Sequence, residues 1–161
     1  GISLGLSLPE LYFYEKSRNM DLKQIEHIGI AVKSLESARL FYERVLGLTC
    51  YKTETVEDQK VRTAFYRIGE VKLELLESTD PEGPVARFIE RRGEGIHHIA
   101  FKVEALKNSV ETLQQKGIKL IDLKPRPGAD GMNIAFLHPS AASGVLVELC
   151  EPSVEQDNPA T

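Results

Sequence analysis

The chain is short of cysteine, of basic runs and of long apolar stretches, and each shortage closes off a class of protein. Its two cysteines, Cys50 and Cys150, are too few and too far apart for a disulfide scaffold or a zinc knuckle. They read instead as small core or cavity-lining residues, in keeping with a reducing cytoplasm or a mitochondrial matrix. Lysine and arginine gather only in small groups, at Arg91-Arg92 and at Lys124 with Arg126, and the net charge is −4. That balance argues against a nucleic-acid partner and leaves the small groups as solvated faces or contacts for an anionic substrate tail. The apolar residues of Ile2–Leu8 and Leu11–Tyr14 are too interrupted for a signal or membrane segment, so no membrane partner is expected.

What is present fits one soluble domain: 161 residues, 42% hydrophobic and 27% charged, enough to bury a real core. Two stretches repeat one another. Glu26-His27-Ile28-Gly29-Ile30-Ala31-Val32 and His97-His98-Ile99-Ala100-Phe101-Lys102-Val103 both alternate by twos, as strands do. Ile28, Ile30 and Val32 share one face, as do Ile99, Phe101 and Val103, and these faces read as core. The opposite faces carry His27 or His98 among mostly small residues, which leaves room for something that is not protein.

Each stretch leads into a helical pattern. Ser34 suits an N-cap ahead of Leu35, Ala38, Phe41, Tyr42 and Val45, and Gly47 ends the run. Leu106, Val110 and Leu113, closed by Gly117, form the copy. The histidines lie 71 residues apart and the closing glycines 70, a near-constant offset. Three strands are expected after each helix: about 49–56, 61–68 and 71–77, then 120–123, 134–137 and 145–151. The result is an α+β fold of two tandem βαβββ modules, at about 22–80 and 94–152, forming a partly open mixed-sheet barrel. Pro84 starts a connector helix over about 84–92. Residues 1–20 form an extension to which no role is assigned, and the chain from Pro152 onward, including the tail 153–161, looks frayed.

The last strands of the two modules also repeat. Glu74 lies between Leu73 and Leu75, and Glu148 between Val147 and Leu149, so each glutamate points away from the core, toward the histidine side. A carboxylate inside a barrel is costly unless paired or bound to a cation. His27, Glu74, His98 and Glu148 occupy equivalent places in the two modules and supply four nitrogen and oxygen donors. Such a set suits one divalent ion such as Co²⁺, Ni²⁺, Zn²⁺, Mn²⁺ or Fe²⁺. His97 is one residue out of phase and is expected to face away. Glu77 and Glu151, also out of phase, are expected to meet solvent. The Pro127–Gly131 loop either brings backbone N–H groups of Gly128 and Gly131 toward an anion or is simply a turn.

The paired modules with these four residues resemble the vicinal oxygen chelate superfamily over about 22–152. Within it, three stretches resemble the methylmalonyl-CoA epimerase family: His27–Val32; Gly93–Ala100; and Phe136-Leu137-His138-Pro139 with Gly144–Leu149. Asp58-Gln59-Lys60-Val61-Arg62 resembles that family's acidic-Gln-Gly-Val segment, with Lys60 in place of glycine. The resemblance implies a homodimeric, cytoplasmic or mitochondrial enzyme on an acyl-CoA, with one divalent metal per chain, Co²⁺ favoured and Zn²⁺, Ni²⁺ or Mn²⁺ possible. It implies His27, Glu74, His98 and Glu148 as metal ligands, Glu148 as one acid/base, and Gln59 as a substrate contact. Some relatives carry a second glutamate where this chain has Thr63, so the opposite acid/base stays unassigned. Two other readings share the fold: a lyase of glutathione hemithioacetals, like glyoxalase I, and a ligand-sequestering resistance protein.

Overall fold

The structure is a computed structural model in which residues 5, 7–10 and 20–154 are described. Most of the expected extension 1–20 and of the tail 153–161 lies outside the described residues. The elements run in order: β1 (Leu22–Ala31), α1 (Leu35–Arg39), β2 (Cys50–Val56), β3 (Val61–Ile68), β4 (Val71–Ser78), α2 (Pro84–Arg92), β5 (Gly95–Val103), α3 (Leu106–Gln115), β6 (Arg126–Pro127), β7 (Met132–Leu137) and β8 (Val147–Pro152). The strands make one eight-stranded sheet in the order β2-β3-β4-β1-β5-β8-β7-β6. Each half reads outward from the centre as the same sequence of strands, and β1 and β5 meet antiparallel in the middle. This is the expected duplicated βαβββ architecture, with a mixed sheet curled into a half-barrel: β1 runs parallel to β4, and β5 runs parallel to β8.

Helices cover the outer face. Val103, Leu106, Val110, Leu113, Ala135 and Leu149 pack under α3, while Val32, Leu35, Ala64, Tyr66 and Leu75 pack under α1. Ser34 caps α1 as expected, its side chain accepting from the Ser37 N–H at 3.2 Å. The helix then widens into a π-turn over Leu40–Val45. There the Leu46 N–H reaches back to the Phe41 carbonyl at 3.1 Å. Wider winding turns Phe41 and Val45 off the core face, so they are 50% and 70% exposed rather than buried.

Three other expectations change. Leu120–Leu123 is not a strand: it makes one bridge, Leu120 to Leu137. The Asp122 carboxylate accepts the Phe136 N–H at 2.8 Å, taking the donor that a neighbouring strand would use. Pro125 and Pro127 follow and have no N–H to offer a ladder. Pro152 is not frayed; it pairs with Met132 in β8, and the Ser153 N–H donates to the Gly131 carbonyl at 2.9 Å.

Glu77 and Glu151 are half-buried, not solvent-facing. The Glu77 carboxylate accepts the Leu35 N–H at 3.0 Å, and Glu151 accepts the Leu106 N–H at 3.1 Å. Each closes the start of its own module's helix with an anion, where unpaired N–H groups and the helix dipole favour one. Glu77→Ala and Glu151→Ala are each expected to cost about 1 kcal/mol. Urea unfolding midpoints check this, and midpoints unchanged from the parent would contradict the capping role.

Candidate metal centre

The inner face of the half-barrel gathers what the sequence separates. His27, Glu74, His98 and Glu148 are all 5% exposed or less. His27 is the hub: its Nε2 lies 2.9 Å from His98 Nε2 and 3.2 Å from Glu148 Oε2, and its Nδ1 lies 2.9 Å from Glu74 Oε2. His98 Nε2 is 3.9 Å from Glu148 Oε1. The donors form two overlapping groups that share His27: one with His98 and Glu148, the other with Glu26 and Glu74. Glu74 therefore approaches from the Nδ1 side of His27, and His98 with Glu148 from the Nε2 side.

Backbone detail makes this packing possible. An ideal Cβ on Gly29 would fall onto the His98 ring, 2.6 Å from Nδ1, so only glycine leaves space for that imidazole. Of three irregularities in the β1–β5 pairing, the two nearest the site re-aim side chains. In the first, Ile25 and His27 oppose Phe101 and Ala100, so Glu26 is the extra residue and turns inward beside His27. In the second, Gly29 and Ile30 oppose His98 and Ile96, so His97 is the extra residue. His97 does not face away as the alternation implies: its Nδ1 is 3.0 Å from His98 Nδ1, and its ring meets Phe88 edge-on at 5.0 Å.

Electrostatics mark the cluster as short of positive charge. Burial works against a charge on His27, but Glu74 and Glu148 outweigh it and push its pKa up to about 10. Burial pushes Glu148 up to about 7 despite the opposing pull of His27, with Glu74 adding to the rise. His98 is held well below its ordinary value by burial and by the neighbouring His27 and His97, and burial takes His97 down to about 4. Glu148 Oε2 is buried and accepts no hydrogen bond despite its 3.2 Å approach to His27. Two imidazoles, at least two carboxylates and an orphaned carboxylate oxygen in one buried pocket are a donor set that fits a divalent cation.

A network that alternation alone misses stands behind His27. Its Nδ1 is 3.0 Å from Glu26 Oε1, which Lys72 Nζ meets at 2.7 Å, and Lys72 also reaches Asp130 Oδ2 at 2.9 Å. Burial alone would raise the Glu26 pKa; hydrogen bonds with His27 and Lys72 hold it below the usual carboxylate value.

The other expected site residues divide. Gln59 lines both the small space beside His27, Glu74 and Glu148 and a cavity of about 390 Å³ walled by His98, Phe136 and Leu146. Thr63 borders the same small space, fully buried, with its hydroxyl unpartnered. The Gly128 N–H is not open to an anion: it donates to the Met132 carbonyl at 2.8 Å. Asp130 and Gly131 take successive left-handed conformations (φ 53° and 66°), which makes this loop a hairpin turn. Of its residues, Ala129 borders the cluster. Lys60, at the position where the resembling family has glycine, also has φ 53°. The 390 Å³ cavity shares His97, His98, Pro84 and Leu146 with a larger one of about 760 Å³, onto which Arg87, Arg91 and Arg92 of α2 face.

Residues 26–136 match the family described as the Glyoxalase/Bleomycin resistance protein/Dioxygenase superfamily. The chain belongs to this superfamily. Among its relatives, "Uncharacterized protein YqjC" of Bacillus subtilis (strain 168) is 50% identical over 137 residues, covering 85% of this chain and 98% of that protein. The mitochondrial methylmalonyl-CoA epimerase of Bos taurus is 35% identical over 130 residues, covering 80% and 74%. A solved structure of a Streptomyces coelicolor methylmalonyl-CoA epimerase variant in complex with 2-nitronate-propionyl-CoA superposes with a TM-score of 0.80 at 36% identity, covering 86% of this chain and 100% of that one. Among the described residues, no helix is long and apolar enough to cross a membrane.

Because His27 holds its proton up to about pH 10, a cation entering at neutral pH must displace it. Adding Co²⁺ to the metal-free chain at pH 7 in weak buffer is expected to release roughly one proton or more per ion bound. Binding with no proton release, followed by pH-stat titration, would contradict this arrangement.

Proposed function

We propose that the chain is a methylmalonyl-CoA epimerase that uses one divalent cation, with Co²⁺ favoured and Zn²⁺, Ni²⁺ or Mn²⁺ as alternatives. The observation that carries the reading is that His27, Glu74, His98 and Glu148 border one small buried space, while His98 and Gln59 also wall an adjoining cavity of about 390 Å³, large enough for an acyl thioester. It is supported by relatives named for that activity that align over most of the chain. His27, Glu74, His98 and Glu148 would hold the cation, which would supply positive charge where an oxyanion develops on the thioester.

The chain's own groups account for the rest. The reacting carbon lies between a carboxylate and a thioester, which makes its hydrogen acidic. The Glu148 carboxylate takes that proton, and the C–H electron pair moves onto the thioester oxygen to give an enolate. A proton drawn from solvent and delivered to the opposite face re-forms the C–H bond with inverted configuration, and Glu148 passes the proton it took back to solvent. The Gln59 amide and the Thr63 hydroxyl both border the cluster and offer hydrogen bonds to the substrate carboxylate. Thr63 has no titrating group at neutral pH, so it orients rather than exchanges a proton. Beyond His98, the larger cavity suits the CoA arm, with Arg91 and Arg92 placed for its phosphates. Arg87 and Arg126 are instead engaged by Glu82 and Asp122, each at 2.9 Å. A homodimer is the proposed assembly, as the resemblance to the methylmalonyl-CoA epimerase family implies.

Turnover of one methylmalonyl-CoA epimer in D₂O is expected to place deuterium on the inverted carbon. Glu148→Gln is expected to lower kcat about 10²- to 10⁴-fold with little change in KM. Inversion without deuterium uptake, or a KM effect alone in Glu148→Gln, would reject the proton-transfer role.

A further inference from the structure

Three carboxylates, not two, surround His27. Glu26, His27 and Glu74 present donor atoms within 4.8 Å of one another, so Glu26 is close enough to compete for a cation held at this cluster. Nothing in strand alternation puts it there; the irregularity at Ile25 and His27 does. A third carboxylate would change the chemistry of the centre, because it would fill a position that a chelating substrate needs.

Glu26 is already engaged. Its Oε1 takes Lys72 Nζ at 2.7 Å and His27 Nδ1 at 3.0 Å. Lys72 lies beside His27 in the β1–β4 ladder and, two residues before Glu74, shares its inward face. The Lys72 side chain is 5% exposed, and its ammonium is fixed from the far side by Asp130 Oδ2 at 2.9 Å. Asp130 is itself gripped by the Tyr51 hydroxyl at 2.8 Å and Lys52 Nζ at 3.2 Å, and its N–H donates to Glu54 at 2.9 Å. The β6–β7 loop thus clasps β2 and β4, joining the two open ends of the sheet. The clasp ends on the one lysine or arginine that the described residues place against Glu26, opposite the His27 ring.

We infer that Lys72 is a positioning residue: it withholds Glu26 from the metal's ligand set and keeps it as the acceptor that orients the His27 ring. This rests on the cation-site reading above. A Lys72 with only a packing role would, on removal, loosen the site; a Lys72 that restrains Glu26 would, on removal, tighten it, because a buried positive charge leaves and a carboxylate is freed.

Calorimetric Co²⁺ titration of the purified chain and of variants separates these. Lys72→Met is expected to bind Co²⁺ about tenfold or more tightly, with a changed visible Co²⁺ absorption as a third carboxylate enters and with a raised KM for the acyl-CoA. Glu26→Gln is expected to bind roughly 10- to 100-fold more weakly, as when the orienting partner of a ligating histidine is lost. Weaker or unchanged Co²⁺ binding in Lys72→Met overturns the inference. If Lys72→Met does not fold, Lys72→Gln, which keeps a polar side chain against Glu26, decides: tighter Co²⁺ binding than in the parent with a changed visible absorption supports restraint of Glu26, and equal or weaker binding overturns it. A parent chain that binds no Co²⁺ at all would sink the cation site itself, whereas a parent that binds and variants that match it would sink only the role of Lys72.

Discussion

Like-charge repulsion inside a closed space is the constraint on which this structure turns. Glu74 and Glu148 are buried on one inner wall, with Glu26 beside them, and taking such groups out of water without a counter-charge costs several kcal/mol each. The chain offers two local answers. Lys72 neutralises Glu26 on one side of His27. On the other side, His27 and His98 face Glu148, where one carboxylate oxygen still lacks a hydrogen bond. The proposed cation would complete that balance, and the same excess of negative donors that burdens the fold would favour its binding.

Duplication explains how such a costly arrangement can be assembled with little machinery. Each module supplies one histidine from its first strand and one glutamate from its last, and β1 against β5 brings the histidines together. Each module also spends a second glutamate, Glu77 or Glu151, on the start of its own helix. The two copies differ where the site needs asymmetry. Module one has Gly29, giving room for the His98 ring, and Lys72; module two has the Asp130 loop that reaches across to it. The clasp therefore ties closure of the sheet to the surroundings of a proposed ligand.

Much of this was legible in the sequence, and the reasons are physical. Alternation in β1, β4, β5 and β8 fixes which side chains share a face, so His27, Glu74, His98 and Glu148 could be grouped before any coordinates. Strands β2, β3 and β4 lie within a residue of their expected bounds because Val61–Ile68 and Val71–Glu77 are dense in β-forming residues. Alternation fails where the pairing slips. Glu26 and His97 turn inward only because β1 and β5 are irregularly paired, and no residue pattern announces that slip. Lys72 shares the parity of Glu74 and could have been flagged from it, as a lysine between Val71 and Leu73 on a buried face. Glu77 and Glu151 misled because a strand-end carboxylate looks solvent-bound until the following helix start is known to pack against it. Gly128 misled for the opposite reason: glycine leaves backbone open in principle, but the turn uses its N–H.

The central claim is that one divalent ion, held by donors from both modules, is required for inversion at a carbon flanked by a carboxylate and a thioester. Methylmalonyl-CoA inversion measured against Co²⁺ restored to a fully chelated chain tests it most directly. The account predicts no inversion in the stripped chain and activity that rises in proportion to bound Co²⁺, levelling at one ion per chain. Full activity in the stripped chain would contradict it.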